Sequence, residues 1–194
     1  MKISKNHKVD SSSPSERSGE AFIVLLRGIN VSGKNKLPMT ELRELLNDLG
    51  FKNVQTYIQS GNIILSSDKT KVEVCKKVNK GIADKFGYDI PVLVRTPQEW
   101  IAIIDKYPFS IENEKIVAFT FLDKTTSETE IEIKGIKEDQ YKITGDVVYL
   151  NCPSGFGKTK LTNNTIEKKL NLIATTRNYK TTLKLLELVE KEQL

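Results

Sequence analysis

The sequence predicts an α+β protein built from two ferredoxin-like β-α-β-β-α-β units, each followed by one more helix. Three observations predict it. Strand-like and helix-like patterns alternate in that order from Ala21 to Arg95, a glycine loop joins the first strand to the first helix, and the order returns between Ile116 and Asn178. A chain of 194 residues can remove roughly 70% of its unfolded surface from water, so a real core is available. Periodicity alone leaves a single mixed sheet of eight strands open as the alternative.

Residues 1–19 carry the run Ser11-Ser12-Ser13-Pro14-Ser15 and no apolar periodicity, so they are expected to be a disordered tail. The sole histidine, His7, lies there, which argues against imidazole catalysis in the folded part. Phe22 to Leu26 are continuously apolar, the pattern of a strand buried on both faces. Pro38 suits a helix start, Met39, Leu42, Leu46 and Leu49 recur at helical spacing, and Gly50 supplies a left-handed stop. Val54 to Gln59 and Ile63 to Ser66 read as two strands around the turn Ser60-Gly61-Asn62. Val74, Val78, Ile82 and Phe86 mark the next helix, stopped by Gly87, and Pro91 to Arg95 is a strand with proline at its start. Thr96-Pro97-Gln98-Glu99 is a capping box for a helix bearing Trp100, Ile103, Ile104 and Tyr107.

In the second half Ile116 to Leu122 reads as a buried strand, and Ser127-Glu128-Thr129-Glu130 as a capping box opening a short helix. Gln140 to Ile143 and Val147 to Asn151 flank the turn Thr144-Gly145-Asp146. A glycine loop, Pro153 to Thr159, leads into a helix through Leu161, Ile166 and Leu170; a strand, Ala174 to Asn178, precedes a last helix bearing Leu183, Leu186 and Val189. The units are thus expected over 20–108 and 109–194, each with its following helix.

Composition narrows the function classes. Hydrophobic content of 38%, charge of 28% and the lack of an apolar run near 20 residues predict a soluble cytoplasmic protein without membrane insertion. Cys75 and Cys152 are too few and too far apart for a disulfide framework or a metal cluster. Residues 1–18 hold Lys2, Lys5, Lys8 and Arg17 against Asp10 and Glu16, so +2 of the net +5 belongs to the tail. The remaining +3 permits an anionic ligand but is sparse for a nucleic-acid binder.

The stretch most able to carry chemistry is Arg27-Gly28-Ile29-Asn30-Val31-Ser32-Gly33-Lys34-Asn35-Lys36, between strand and helix. Glycine turns, a helix N-terminus and a lysine together favour a phosphate or carboxylate. Gly28 to Lys34 has the glycine–lysine spacing of a P-loop, but position 35 is Asn where Ser or Thr would hold magnesium. Cys152 to Thr159 has the Lys-Thr ending, but Cys152 stands where the first glycine belongs. The plain reading of both is a tight turn. Base stacking of the RNA-recognition type is not expected either, because the third strand, Ile63-Ile64-Leu65-Ser66, lacks an aromatic. Cys152 near Lys158 could be a low-pKa thiol or a packed cysteine, and packing is the reading the absence of a histidine base favours.

A 4-1-3-2 strand order places Arg27, Gly28, Asn30, Gly33 and Lys34 at the same sheet edge as Gln59, Ser60 and Asn62. In the second unit it places Lys158, Arg177 and Asn178 at one edge. These residues are the candidate ligand-binding set. Their alternative role is to brace loops and cap helices. No metal ligands stand out, and no cofactor or oligomeric state is indicated.

Leu25-Leu26-Arg27-Gly28-Ile29-Asn30-Val31, Tyr57-Ile58-Gln59-Ser60-Gly61-Asn62 and Thr176-Arg177-Asn178 together resemble the uncharacterised family catalogued as domain of unknown function 1697, over about residues 20 to 190. The chain departs from that pattern at Ser32, where a second glycine is usual, and at Tyr179, where tryptophan is common. The resemblance implies an α+β fold with two related halves, and no activity. The function expected is a binding module for a phosphate-bearing ligand, nucleotide or nucleic acid, at the first glycine loop. A phosphoryl- or nucleotidyl-transfer enzyme and a protein-interaction domain with structural polar loops are the alternatives.

Overall fold

The computed structural model describes residues 19–31 and 33–192. The expected tail over 1–18, with His7, lies outside the described residues, as do Ser32 and residues 193–194. Gly19, assigned above to the tail, is instead packed: a Cβ there would sit 2.2 Å from the Ser67 carbonyl carbon.

Two four-stranded antiparallel sheets form, which excludes the single eight-stranded sheet. The first holds β1 (Glu20–Leu26), β2 (Lys52–Tyr57), β3 (Asn62–Ser67) and β4 (Val92–Arg95) in the order β2-β3-β1-β4. The second holds β5 (Val117–Leu122), β6 (Gln140–Thr144), β7 (Val147–Asn151) and β8 (Ala174–Asn178) in the equivalent order β6-β7-β5-β8. Among the described residues the α-helices are α1 (Met39–Asp48), α2 (Lys71–Phe86), α3 (Pro97–Asp105), α4 (Asn163–Leu170) and α5 (Tyr179–Lys191).

Successive strand residues point to opposite faces, and β1 shows why it needs no polar side. Phe22, Val24 and Leu26 meet α1 and α2 through Leu42, Leu46, Val78 and Ile82. Ala21, Ile23 and Leu25 join a central core with Trp100 of α3, Phe119 and Phe121 of β5, and Leu185 of α5. The inner faces of both sheets therefore share one apolar layer with α3 and α5. Trp100 stacks on Phe121 with ring centroids 4.5 Å apart and donates its indole N–H to the Thr182 carbonyl at 2.9 Å. Such a pair adds roughly 0.5–1.5 kcal/mol beyond burial.

Three expectations need correction. No helix forms at Ser127-Glu128-Thr129-Glu130; residues 124–139 run without a helix, and the Thr126 hydroxyl accepts the Glu128 N–H at 3.0 Å. The second half is thus not a full β-α-β-β-α-β unit. Ile131 and Ile133, two residues apart, pack with Ile136 on the outer core of the second sheet, and a helix would point the first two about 200° apart. The Tyr141 hydroxyl clasps this segment, accepting the Ile131 N–H at 3.0 Å and donating to its carbonyl at 2.6 Å. The turn between β2 and β3 covers Ile58 to Gly61, and Asn62 already belongs to β3. Lastly, α5 buries Leu185 and Val189, one turn apart, while Leu183 is exposed, because two residues along a helix put it about 200° round from Leu185.

Candidate functional site

The end of β1 and the β2–β3 turn do meet at one edge, where the Leu26 N–H reaches the Gly61 carbonyl at 2.8 Å. Gly61 has φ +75°, and a Cβ there would lie 2.7 Å from that of Leu26, so only glycine fits. Asn30 ties the loop to the turn: its amide nitrogen donates to the carbonyls of Gln59 (2.9 Å) and Leu37 (3.0 Å), and its oxygen accepts the Leu37 N–H (2.8 Å). Asn35 returns across the loop to the Gly28 carbonyl at 3.1 Å, and the Lys34 N–H reaches the Val31 carbonyl at 3.0 Å. Gly28, Asn30, Gly33 and Asn35 all have positive φ, which folds the loop back on itself.

Both arginines are engaged by protein acceptors, Arg27 half-buried and Arg177 buried. Arg27 grips Glu167 of α4 in a two-point pair, Nε to one carboxylate oxygen and Nη2 to the other, both at 2.9 Å, and Nη2 also reaches Asn164 at 2.9 Å. Arg177, at the end of β8, is 6% exposed and crosses to the first sheet. Its Nε donates to Asn62, Nη1 to the Thr175 hydroxyl (2.7 Å) and the Thr176 carbonyl (2.9 Å), and Nη2 to the carbonyls of Leu26 (3.1 Å) and Ser60 (3.0 Å). Burial, and then the nearby Arg27 charge, lower its pKa to about 10. Asn62, fully buried, uses its own amide N–H groups on the Tyr57 carbonyl (3.1 Å) and the Ser60 hydroxyl (2.9 Å).

Ser60, Asn62 and Arg177 therefore form one hydrogen-bonded network between the two sheets; Asn30 ties the first loop to the adjacent Gln59 carbonyl, and Arg27 makes a separate bridge to α4. Asn178 stands beside Arg177 as the N-cap of α5, accepting the Thr181 N–H at 2.8 Å. Lys34 is exposed, with no side-chain partner among the described residues. Lys158 is also exposed, on a separate loop held by Asp139, which accepts the Ser154 hydroxyl at 2.6 Å and its N–H at 3.0 Å. Sequence reasoning missed Glu167 and Asn164, and their helical i, i+3 spacing carries no signal that Arg27 lies opposite.

The chemistry of the thiols is also settled by packing. Cys152 is fully buried, and burial pushes its pKa up to about 11 against the opposing hydrogen bond from Thr159; the low-pKa reading is overturned. Burial likewise raises Cys75. Among the described residues no group of three His, Cys, Asp or Glu side chains could hold a metal ion, and no helix is long and apolar enough to cross a membrane.

A solved structure of the conserved bacterial protein SP0830 from Streptococcus pneumoniae is similar, at 22% identity and a TM-score of 0.64, over 87% of this chain and 98% of that one. At that identity the likeness is one of fold. No curated protein matches the sequence. The family described as protein of unknown function DUF1697 matches residues 20–149, from β1 through most of β7, so Arg177 and Asn178 lie beyond the match. More than half of the chain is covered, and the protein belongs to the DUF1697 family.

Proposed function

We propose that this protein is a binding module for a phosphate-bearing ligand, a nucleotide or nucleic acid, and that its contact surface is the loop 28–36. The observation carrying this reading is that α1 opens on Pro38 with no side-chain cap directly after a loop bearing exposed Lys34 and Lys36. Uncapped first-turn N–H groups beside two cations favour an anion. Arg27 and Arg177 serve it indirectly, by holding the loop and the β2–β3 turn in place, and Lys158 and Asn178 stand apart from the contact. The equivalent strand orders support a further reading, that the chain is a duplicated ferredoxin-like unit divided into 20–108 and 109–194, in which the second copy has lost its first helix.

Titration of inorganic phosphate, nucleotides and short oligonucleotides at low salt, followed by amide shifts over residues 28–41, tests the site. Binding that weakens with salt and with Lys34→Ala is the expected result. Identical titrations for wild type and variant, or none at millimolar ligand, would remove the reading. Magnesium-dependent turnover of a nucleotide in the same samples would replace binding by transfer chemistry.

A protein-interaction role is favoured by a different observation at the same edge. Val31 and Ile58 are 60% and 50% exposed, and Ile58 holds φ +50°, a conformation a β-branched residue rarely adopts. Concentration-dependent association that Ile58→Asn abolishes would support that role over ligand binding.

A further inference from the structure

Away from that edge, a cleft of about 520 Å³ lies between α2 and β4 on one side and the segment following β5 and the β6–β7 turn on the other. Its volume lies in the range of small-molecule sites, which favour junctions between packed units. One wall is the α2 face carrying Val72, Cys75 and Lys76, residues that helical spacing puts side by side. Val72 is 62% exposed. The floor is the outer side of β4, and its Val92 and Val94 carbonyls are already taken, by the Cys75 thiol at 3.1 Å and by Arg95 Nη1 at 3.0 Å. Side chains thus take both of these carbonyls, which leaves an added strand without them as acceptors.

Charge gives the cleft its selectivity. Lys71, Lys76, Arg95 and Lys124 line it against only two carboxylates, Asp123 and Asp146. Asp146 pairs with Arg95 Nη2 at 2.9 Å, and Asp123 accepts the Ile173 N–H at 2.9 Å. Lys71 is engaged by Glu99. Lys76 and Lys124 are exposed and have no side-chain partner among the described residues. Beside them Arg95 is 7% exposed and its Nε has no acceptor among the described residues, an uncommon state for a buried donor.

We propose that this cleft binds a small organic anion, its carboxylate or phosphate group held by Lys76 and Lys124 beside Arg95 and its apolar body laid against Val72. The inference goes beyond the loop reading and does not rest on it. Amide shifts of the full chain, titrated separately with phenyl phosphate, benzoate, inorganic phosphate and benzylamine, test it. The expected result is saturable shifts over residues 71–76, 92–95 and 123–125 with phenyl phosphate or benzoate, weaker ones with inorganic phosphate and none with benzylamine. Whichever aromatic anion binds tighter identifies the headgroup.

The double variant Lys76→Glu with Lys124→Glu should weaken the tighter ligand at least about tenfold, and Val72→Asp should weaken it as well. Lys34→Ala should leave it unchanged, which separates this site from the loop. Both lysines and Val72 are exposed, and an unaltered urea midpoint would show that the variants are folded. Equal binding of benzylamine, equal binding of inorganic phosphate, loss of the shifts in Lys34→Ala, or no saturable shifts would each overturn the proposal.

Discussion

The two halves share a strand order but cover their sheets differently. The first sheet has two helices on its outer face, α1 and the 16-residue α2, contributing buried Leu42, Leu46, Val74, Val78 and Ile82. The second has the 8-residue α4 and a segment without a helix, residues 124–139. Its isoleucines there are only partly buried: Ile131, Ile133 and Ile136 lie against a core that includes Val148, Leu150 and Ile166. A sheet face requires apolar cover, and a helix is only one way to supply it. The inner faces are the reverse case, since both sheets contribute to one core around Trp100, Phe121 and Leu185.

At the polar edge each half sends one arginine to the other: β8 sends Arg177 into the β2–β3 turn of the first sheet, where it meets more partners, and the end of β1 sends Arg27 to Glu167 of α4. Replacing Arg177 with alanine should therefore produce the largest effect, roughly 3–5 kcal/mol, because it orphans the Asn62 side-chain oxygen and the carbonyls of Leu26 and Ser60 together. Arg177→Lys should recover little of it, since one ammonium cannot reach partners on both sides. Urea unfolding measures both, and a loss near 1 kcal/mol for the alanine variant would mean that the sheets are held by the shared core alone.

The difference in cover predicts a difference in sensitivity. Leu46→Ala should cost roughly 2–5 kcal/mol, because Leu46 is fully buried on the stripe of α1 and truncation leaves a cavity. Ile133→Ala, on the segment that replaces a helix, should cost about 1 kcal/mol, since its side chain is only partly removed from water. Equal losses in the same unfolding experiment would show that the segment packs as firmly as α1.

The smallest expected effect depends on pH. Burial tends to raise the pKa of Asp139, but hydrogen bonds from Ser154 and Thr159 outweigh it and hold the carboxyl below its ordinary value. A depressed folded pKa means that stability is present above the unfolded pKa of about 3.9 and is lost as pH falls through the folded value. The stability gap between wild type and Asp139→Asn should thus be full near pH 6 and shrink below about pH 4. A gap of constant size in urea midpoints across that range would assign the contribution to shape rather than charge.

Local patterns made much of the fold legible. Thr96 forms the expected capping box with Glu99, Gly87 ends α2 in the left-handed region, and β7 and β8 begin and end where the alternation puts them. The Ser127 to Glu130 pattern has the same letters as a capping box, yet no helix follows. A cap lowers the free energy of a helix that something else must stabilise, and Ile131 and Ile133 are spaced for an extended segment on a sheet. At the candidate site the adjacency of Asn30 and the Gln59 carbonyl followed from strand order alone. That Arg27 and Arg177 would each be taken up by acceptors of the other half did not.

What the sequence determined by itself is thus the set of short-range choices: where strands alternate, where helices begin and stop, and which turns need glycine. Each depends on interactions within a few residues, so each is written locally. Only the tertiary structure decided that Arg27 meets Glu167, residues 140 apart, and that Arg177 enters the turn before Asn62, residues 115 apart. An arginine reads the same in a chain whether it will coordinate a ligand or hold two sheets together. Which of the two it does depends on the acceptors brought around it, and those are assembled by the packing of one sheet against the other.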